Sequence, residues 1–216
     1  MIVLGLDTSA ANCSAALIDR DGLIGARVEE IGRGHAERLA PLVRALMEET
    51  GVTAGRLDRI GVVAGPGSFT GVRVGVAFAR GLALTLDIPA VGISALACAA
   101  RSADPARGKT VLAAHDARRD ELAWQIYERG AAKGEMRLDH VEAVAGQARG
   151  MDDFILAGSG AMKLAAALGG LETAATEPPD PEQAARLAAE AQDLAPPSPI
   201  YQRPPDAKRP GGITPP

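Results

Sequence analysis

The feature that most constrains this chain is a pattern that occurs twice. "RIGVVAGPGSFTG" (59–71) and "DFILAGSGAMKL" (153–164) are each an apolar run ending in Ala-Gly-x-Gly and opening a helical pattern. Upstream of each lies a strand, an Asp-containing turn and a second strand: "IVLGLDTSAANCSAALID" (2–19) and "TVLAAHDARRDELAWQIYE" (110–128). A scheme that restarts at half-length reads as an internal duplication with a shortened second copy. It predicts an α/β molecule of two related lobes, with mixed sheets flanked by helices and a reduced second lobe.

Between the landmarks the pattern is legible element by element. "IVLGLD" (2–7), "SAALID" (14–19) and "LIGARVEE" (23–30) read as a strand meander turning at 20–22. In "HAERLAPLVRALMEETG" (35–51), Ala36, Leu39, Ala40, Val43, Leu46, Met47 and Thr50 share one helical arc, and Gly51 stops it. Pro41 is expected within the first turn, with 35–39 looser. "PAVGIS" (89–94) is a strand with Ser94 as a cap, and "PEQAARLAAEAQ" (181–192) is a helix with proline in its first turn. The expected units are 1–104, 105–194 and a tail at 195–216 that carries eight of the fifteen prolines. The tail should be extended rather than a core element, with Tyr201 as its tether.

Chemistry is harder to find. The glycine turn fails the Walker pattern, because Gly71 is followed by Val72 and 51–100 contains no lysine. Gly65, Gly67 and Gly71 are spaced one residue too wide for the dinucleotide fingerprint. Thr70 is expected to cap the following helix, with Gly71 first in the helix and Phe69 and Val74 as a hydrophobic staple. The loop after the first strand, "DTSAANCS" (7–14), has no glycine to bring its backbone close to a phosphate. Asp7, Thr8 and Ser9 are the residues a nucleotide or metal would approach, but the same Asp equally caps the turn. His35, His115 and His140 have no metal-type spacing. Cys13 and Cys98 are expected as buried small side chains.

The helix from 70 to about 86 is apolar nearly all round. Gly71, Gly75, Ala79 and Ala83 form a ridge of small side chains flanked by Val72 and Val76, and only Arg73 and Arg80 mark a polar line. Either this is a central helix wedged into its own fold, or the ridge meets another protein. The partner face expected from the pattern comprises Leu39, Leu42, Val43, Leu46, Val72, Gly75, Val76, Ala79 and Ala83.

A net charge of −4 and 3% aromatic residues exclude a chain that grips nucleic acid by itself. Arg203, Lys208 and Arg209 in the tail are expected to add a minor contact inside an assembly. No apolar run of about 18 residues was expected to suit a membrane span, and no secretory signal follows Met1.

"LDTS" (6–9), "GHAERLAP" (34–41), "GPGSFTGVRVG" (65–75), "DARRDELAW" (116–124) and "PIYQRPPDAK" (199–208) together resemble the TsaB (YeaZ) family, in order and over most of the chain. The resemblance implies an actin-like fold shared with sugar kinases and Hsp70-type chaperones. It implies a cytoplasmic, non-catalytic subunit of the machinery that modifies tRNA with threonylcarbamoyladenosine. Such a subunit pairs with the catalytic paralogue TsaD through its two N-terminal-lobe helices, homodimerises when alone, is joined by the ATPase TsaE and meets tRNA only through the complex. No intrinsic cofactor is implied, with ATP or ADP and a metal belonging to the complex. The competing expectation is an actin-fold ATP-dependent enzyme or a glycoprotease-like peptidase.

Overall fold

The computed structural model describes residues 1–171 and 178–202. Its first sheet is built from β1 (Val3–Asp7), β2 (Asn12–Ile18), β3 (Leu23–Glu30), β4 (Arg59–Gly65) and β5 (Ala90–Ser94), in the order β3-β2-β1-β4-β5. β1, β2 and β3 form the antiparallel meander, while β1, β4 and β5 run parallel. The parallel strands are near-continuous apolar runs because both their faces are covered. On one face Leu4, Leu6, Ile60 and Val62 meet α1 (His35–Thr50) and α2 (Phe69–Leu86); on the other, Val3, Val63, Val91 and Ile93 meet α3 (Ala95–Ala103) and α6 (Pro181–Glu190).

The second sheet repeats the scheme with one strand fewer. β6 (Thr110–Asp116), β7 (Glu121–Glu128), β8 (Ala131–His140) and β9 (Phe154–Ala157) lie in the order β8-β7-β6-β9, antiparallel twice and then parallel. α4 (Val141–Ala148) and α5 (Ala161–Ala167) cover it with Val144, Ala145 and Leu164. The expected duplication with a reduced second copy is therefore present in the strand order.

Several expectations are corrected. The boundary at 194 does not follow the packing, because α6 returns to the first sheet. A Cβ at Gly5 would lie 2.0 Å from the Pro181 carbonyl oxygen, and one at Gly61 would lie 2.5 Å from that of Ala184. Only glycines let the Ala184–Ala185–Ala188 face lie flush on β1 and β4. Arg59 Nη1 then donates to the carbonyls of Ala188 and Ala191 at the helix end.

α1 is helical from His35, with Pro41 inside it rather than in its first turn. The acceptor that Pro41 leaves unused belongs to Glu37, on the exposed side of the helix. α2 begins two residues earlier than expected. Ser68, not Thr70, is the N-cap: its backbone is extended and its Oγ accepts from the Gly71 N–H at 3.3 Å. Phe69 is thereby the first helical residue and is half exposed, so it forms no staple with Val74. α2 is also the one helix among the described residues long and apolar enough to cross a membrane, against the expectation of none.

The described part of the tail forms no helix or strand, yet it packs. The Ile200 N–H donates to the Ala64 carbonyl at 2.7 Å, beside the shift in the β4–β5 register. Ile200 joins the first-lobe core, and Gly65 (φ 116°) has no room for a Cβ beneath the Ile200 carbonyl. The tail cations Arg203, Lys208 and Arg209 lie outside the described residues.

Candidate functional site: the α1–α2 face and the cleft between the lobes

The nine residues expected to meet a partner are all buried in the chain's own core. The ridge of α2 is sealed beneath its own strands. A Cβ on Gly71 would lie 1.9 Å from the Thr8 carbonyl oxygen, and one on Gly75 would lie 2.5 Å from Thr8 Oγ1 and 3.3 Å from Val62. Thr8 Oγ1 donates to the Gly71 carbonyl at 2.7 Å, fixing the approach. The small residues are thus explained by β1 and β4, and the residues expected to meet a partner face inward rather than outward.

The opposite side of α2 mixes apolar residues with threonines and arginines. Phe69, Ala77, Gly81 and Leu84 are exposed together with Thr70, Thr85, Arg73 and Arg80, and Leu84 is 85% exposed. Towards α1 the surface falls into a groove of about 420 Å³ lined by Ala40, Val43, Met47, Phe78 and Leu82, with Arg44 and Glu48 at its rim. Val43, almost fully buried, is the one residue of the expected face that lines the groove. The available signal was the Arg73–Arg80 line, which marks the direction of solvent.

At the N-terminal end of α2, two of the stretches that carry the family resemblance come together. Arg73 stacks its guanidinium 3.7 Å from the Phe69 ring centroid, and its Nε donates to Tyr201 Oη at 2.8 Å. The Phe69 and Tyr201 rings lie 5.3 Å apart. Tyr201 therefore holds the tail to α2, as expected for a tether.

The loop after β1 is a joint rather than an open site. Asp7, Thr8 and Ser9 are buried. Asp7 Oδ1 accepts from the Ser9 N–H at 2.8 Å, and the Ser9 carbonyl accepts from the Ser68 N–H at 2.6 Å. Asp7 Oδ2 has no partner among the described residues, and burial pushes the carboxyl pKa up to about 6. No cluster of three His, Cys, Asp or Glu side chains suited to a metal occurs among the described residues, so no donor set here complements that oxygen.

A cleft of about 260 Å³ lies between the lobes, lined by Ser9, Pro66, Leu96, His115, Ser159 and Pro178 among others. Ser159 Oγ accepts from the Asp116 N–H and lies 3.0 Å from His115 Nδ1, within hydrogen-bond reach of the imidazole. Burial lowers the His115 pKa, which keeps the ring neutral. Against the opposing effect of burial, the Asp116 carboxylate is held below its usual range by the Arg118 N–H and then by Lys163, 3.1 Å away. Sequence reasoning missed Ser159, which the second glycine turn delivers beside His115. The described lining contains no lysine or arginine, so the wall offers hydroxyls and a neutral ring rather than a cradle for phosphates. His35 serves packing and a polar contact, with Nε2 3.2 Å from the Asn12 carbonyl, and His140 is exposed at the end of β8.

Two lobes, each a meander joined to parallel strands with helices on its faces, define an actin-like protein. The chain matches the family described as TsaD, tRNA N6-adenosine threonylcarbamoyltransferase, over residues 16–199. It is 33% identical to YeaZ from Pseudomonas aeruginosa, with a TM-score of 0.76 over 93% of this chain and 99% of that one. A second structure, described as an uncharacterized protein with similarity to peptidase YeaZ from Pseudomonas aeruginosa, superposes with a TM-score of 0.80 at 32% identity, covering 94% and 99% of the two chains. The chain is 40% identical over 130 residues to the tRNA threonylcarbamoyladenosine biosynthesis protein TsaB of Escherichia coli, a match covering 60% of this chain and 56% of that relative. The match thus spans little more than half the length of that curated relative. The chain belongs to the TsaD-type threonylcarbamoyltransferase family and, within it, to the TsaB (YeaZ) group.

Proposed function

We propose that the chain is a non-catalytic dimerisation subunit in the biosynthesis of threonylcarbamoyladenosine on tRNA. It pairs with the catalytic TsaD-type paralogue through the outward face of α1 and α2, and the TsaE-type ATPase joins that pair. The observation that carries this reading is the apolar α1–α2 groove with its half-buried Met47, Phe78 and Leu82, beside an α2 face on which Leu84 stands 85% exposed. Large apolar side chains collected on one face mark an interaction surface.

The cleft supports a supporting rather than a catalytic role. It has no cationic lining for a nucleotide, and the one serine–histidine pair in it has no carboxylate bonded to its imidazole among the described residues. On this reading ATP or ADP and a metal belong to the assembled complex, tRNA is reached only through it, and the protein works in the cytoplasm. Without its paralogue the same face supports a homodimer.

Co-purification with the TsaD-type subunit followed by native mass determination tests the reading. A complex containing both chains is expected, and Met47→Glu with Leu82→Glu should remove it while the isolated chain keeps its fold. Calorimetry of the isolated chain with ATP and magnesium should show no heat of binding. Micromolar binding that disappears in Asp7→Ala would instead establish the ATP-dependent enzyme.

A further inference from the structure

Gly81 is a glycine that the folded chain does not require. It lies in the interior of α2 with an ordinary helical φ, it is exposed, and a Cβ built on it meets nothing within 4 Å. The contrast with Gly71 and Gly75 on the same helix is direct, since both of those would collide with Thr8. An exposed glycine in a helix interior weakens folding about four-fold or more relative to alanine. The surroundings of Gly81 are low as well: Ala77 and Thr85 stand one turn to either side, and the Thr85 hydroxyl is turned back onto the Gly81 carbonyl at 2.9 Å.

This low point lies on a ridge between two depressions. On one side is the α1–α2 groove. On the other is a second groove of about 590 Å³, lined by Arg80, Gly81, Leu84, Ile88, Leu194 and Pro197. A helix that crosses α2 at Gly81 would bring its axis close to α2 and put side chains into both depressions, since helix spacing is set by the residues at the contact.

Charge decides what crosses there. α2 has no acidic residue between Phe69 and Leu86, the nearest carboxylates on the two grooves being Asp87 at its C-cap and Glu48 on α1, and its exposed face carries Arg73 and Arg80. Neither arginine has an ion pair among the described residues; Arg73 bonds only the neutral Tyr201 hydroxyl. A second copy crossing about a two-fold axis at Gly81 would bring its own Arg80 against this one, because an isologous contact pairs each residue with its symmetry mate. Like charges so placed oppose association, whereas a carboxylate in that position favours it.

We infer that Gly81 is the point at which α2 is crossed by a helix of a different protein, one that carries an acidic side chain to Arg80, and that this contact favours the heterodimer over the homodimer. The inference rests on the proposed pairing with the TsaD-type subunit and deepens it.

Three proteins test it, each as the full chain: wild type, Gly81→Ala and Arg80→Gln. Urea unfolding reads the stability of the isolated chain, calorimetry at two salt concentrations reads pairing with the TsaD-type subunit, and sedimentation reads self-association. Gly81→Ala should fold about four-fold more favourably than wild type and pair at least ten-fold more weakly. Arg80→Gln, which removes the charge from both copies, should weaken the heterodimer, reduce its salt dependence and strengthen the homodimer. A Gly81→Ala protein that is stabilised yet pairs as wild type overturns the crossing point. An Arg80→Gln protein with both dimers unchanged, or with the homodimer weakened alongside the heterodimer, overturns the charge preference while leaving the pairing itself intact. No association of the wild-type chains overturns both this inference and the function it deepens.

Discussion

At the scale of single residues, the glycines of α2 separate into two kinds that look alike in the sequence. Gly75 is a contact glycine. Its missing Cβ leaves room for Thr8 Oγ1 at 2.5 Å and Val62 at 3.3 Å, both in the core. Gly75→Ala is therefore expected to destabilise the isolated chain by about 1–3 kcal/mol, the range for an overpacked core. Denaturant unfolding should show a lower midpoint with an unchanged slope. Ser68 is the cap that the sequence reading placed two residues too late. Ser68→Ala should cost about 1 kcal/mol, while Thr70→Ala, at an exposed position inside the helix, should fall within about 0.5 kcal/mol of wild type.

Asp7 gives a residue-scale prediction with a definite sign. Its carboxyl pKa is about 6 in the folded chain against an ordinary value of 3.8, owing to burial. Between those values the folded state holds a proton that the unfolded state has lost, so this group's contribution to stability falls as pH rises from about 4 to about 6.5 and then levels off. The full change is on the order of 3 kcal/mol. In Asp7→Asn the titration is absent. Urea midpoints at pH 4.5 and 7.5 should move toward greater stability at the higher pH in the variant relative to wild type. A wild-type–variant difference that is the same at both pH values would contradict the buried, unpartnered carboxyl.

At the scale of elements, legibility followed amphipathicity. The strands around both Asp-containing turns were readable because burial on two faces leaves uninterrupted apolar runs, and α6 was readable from its first-turn proline. α2 was found but could not be oriented. A helix apolar on every side has little phase, and whether Gly71 and Gly75 or Ala77 and Gly81 face the sheet depends on Thr8, some sixty positions away in the chain. The packing of α6 on β1 and β4 was equally out of reach, since Gly5 and Gly61 read as ordinary strand residues until a helix backbone lies on them. Ser159 was hidden for the same reason: its partner His115 belongs to another strand.

The tail clasp also belongs to this scale. Tyr201 spans Phe69 and Arg73, and the Ile200 backbone bonds the end of β4. Tyr201→Ala should leave the core intact, cost at most about 1.5 kcal/mol for the lost ring contact, and make residues near 200 accessible to protease. Limited proteolysis with mass identification of the cut site reads this directly. Cleavage at wild-type rates would show that the clasp does not hold the tail.

For the molecule as a whole, the duplication accounts for the architecture and its departures from symmetry account for the proposed role. The first lobe has five strands and presents α1 and α2 outward; the second has four, with β8 exposed at its edge. The turn at Gly65–Gly67 and the turn at Gly158–Gly160 each approach the end of a strand in their own lobe, against Ser9 and Ala114. Each turn is thus packed closely on its own lobe at the edge of the cleft, while apolar surface is left open on the outside of α2.

The central claim is that α2 has a structural inner face and a pairing outer face. Calorimetric titration of Leu82→Glu into the TsaD-type subunit, with the unfolding curve of the same preparation, tests it most directly. The account predicts an isolated chain within about 1 kcal/mol of wild type and pairing weakened at least ten-fold. Pairing within two-fold of wild type by a folded Leu82→Glu protein would contradict it.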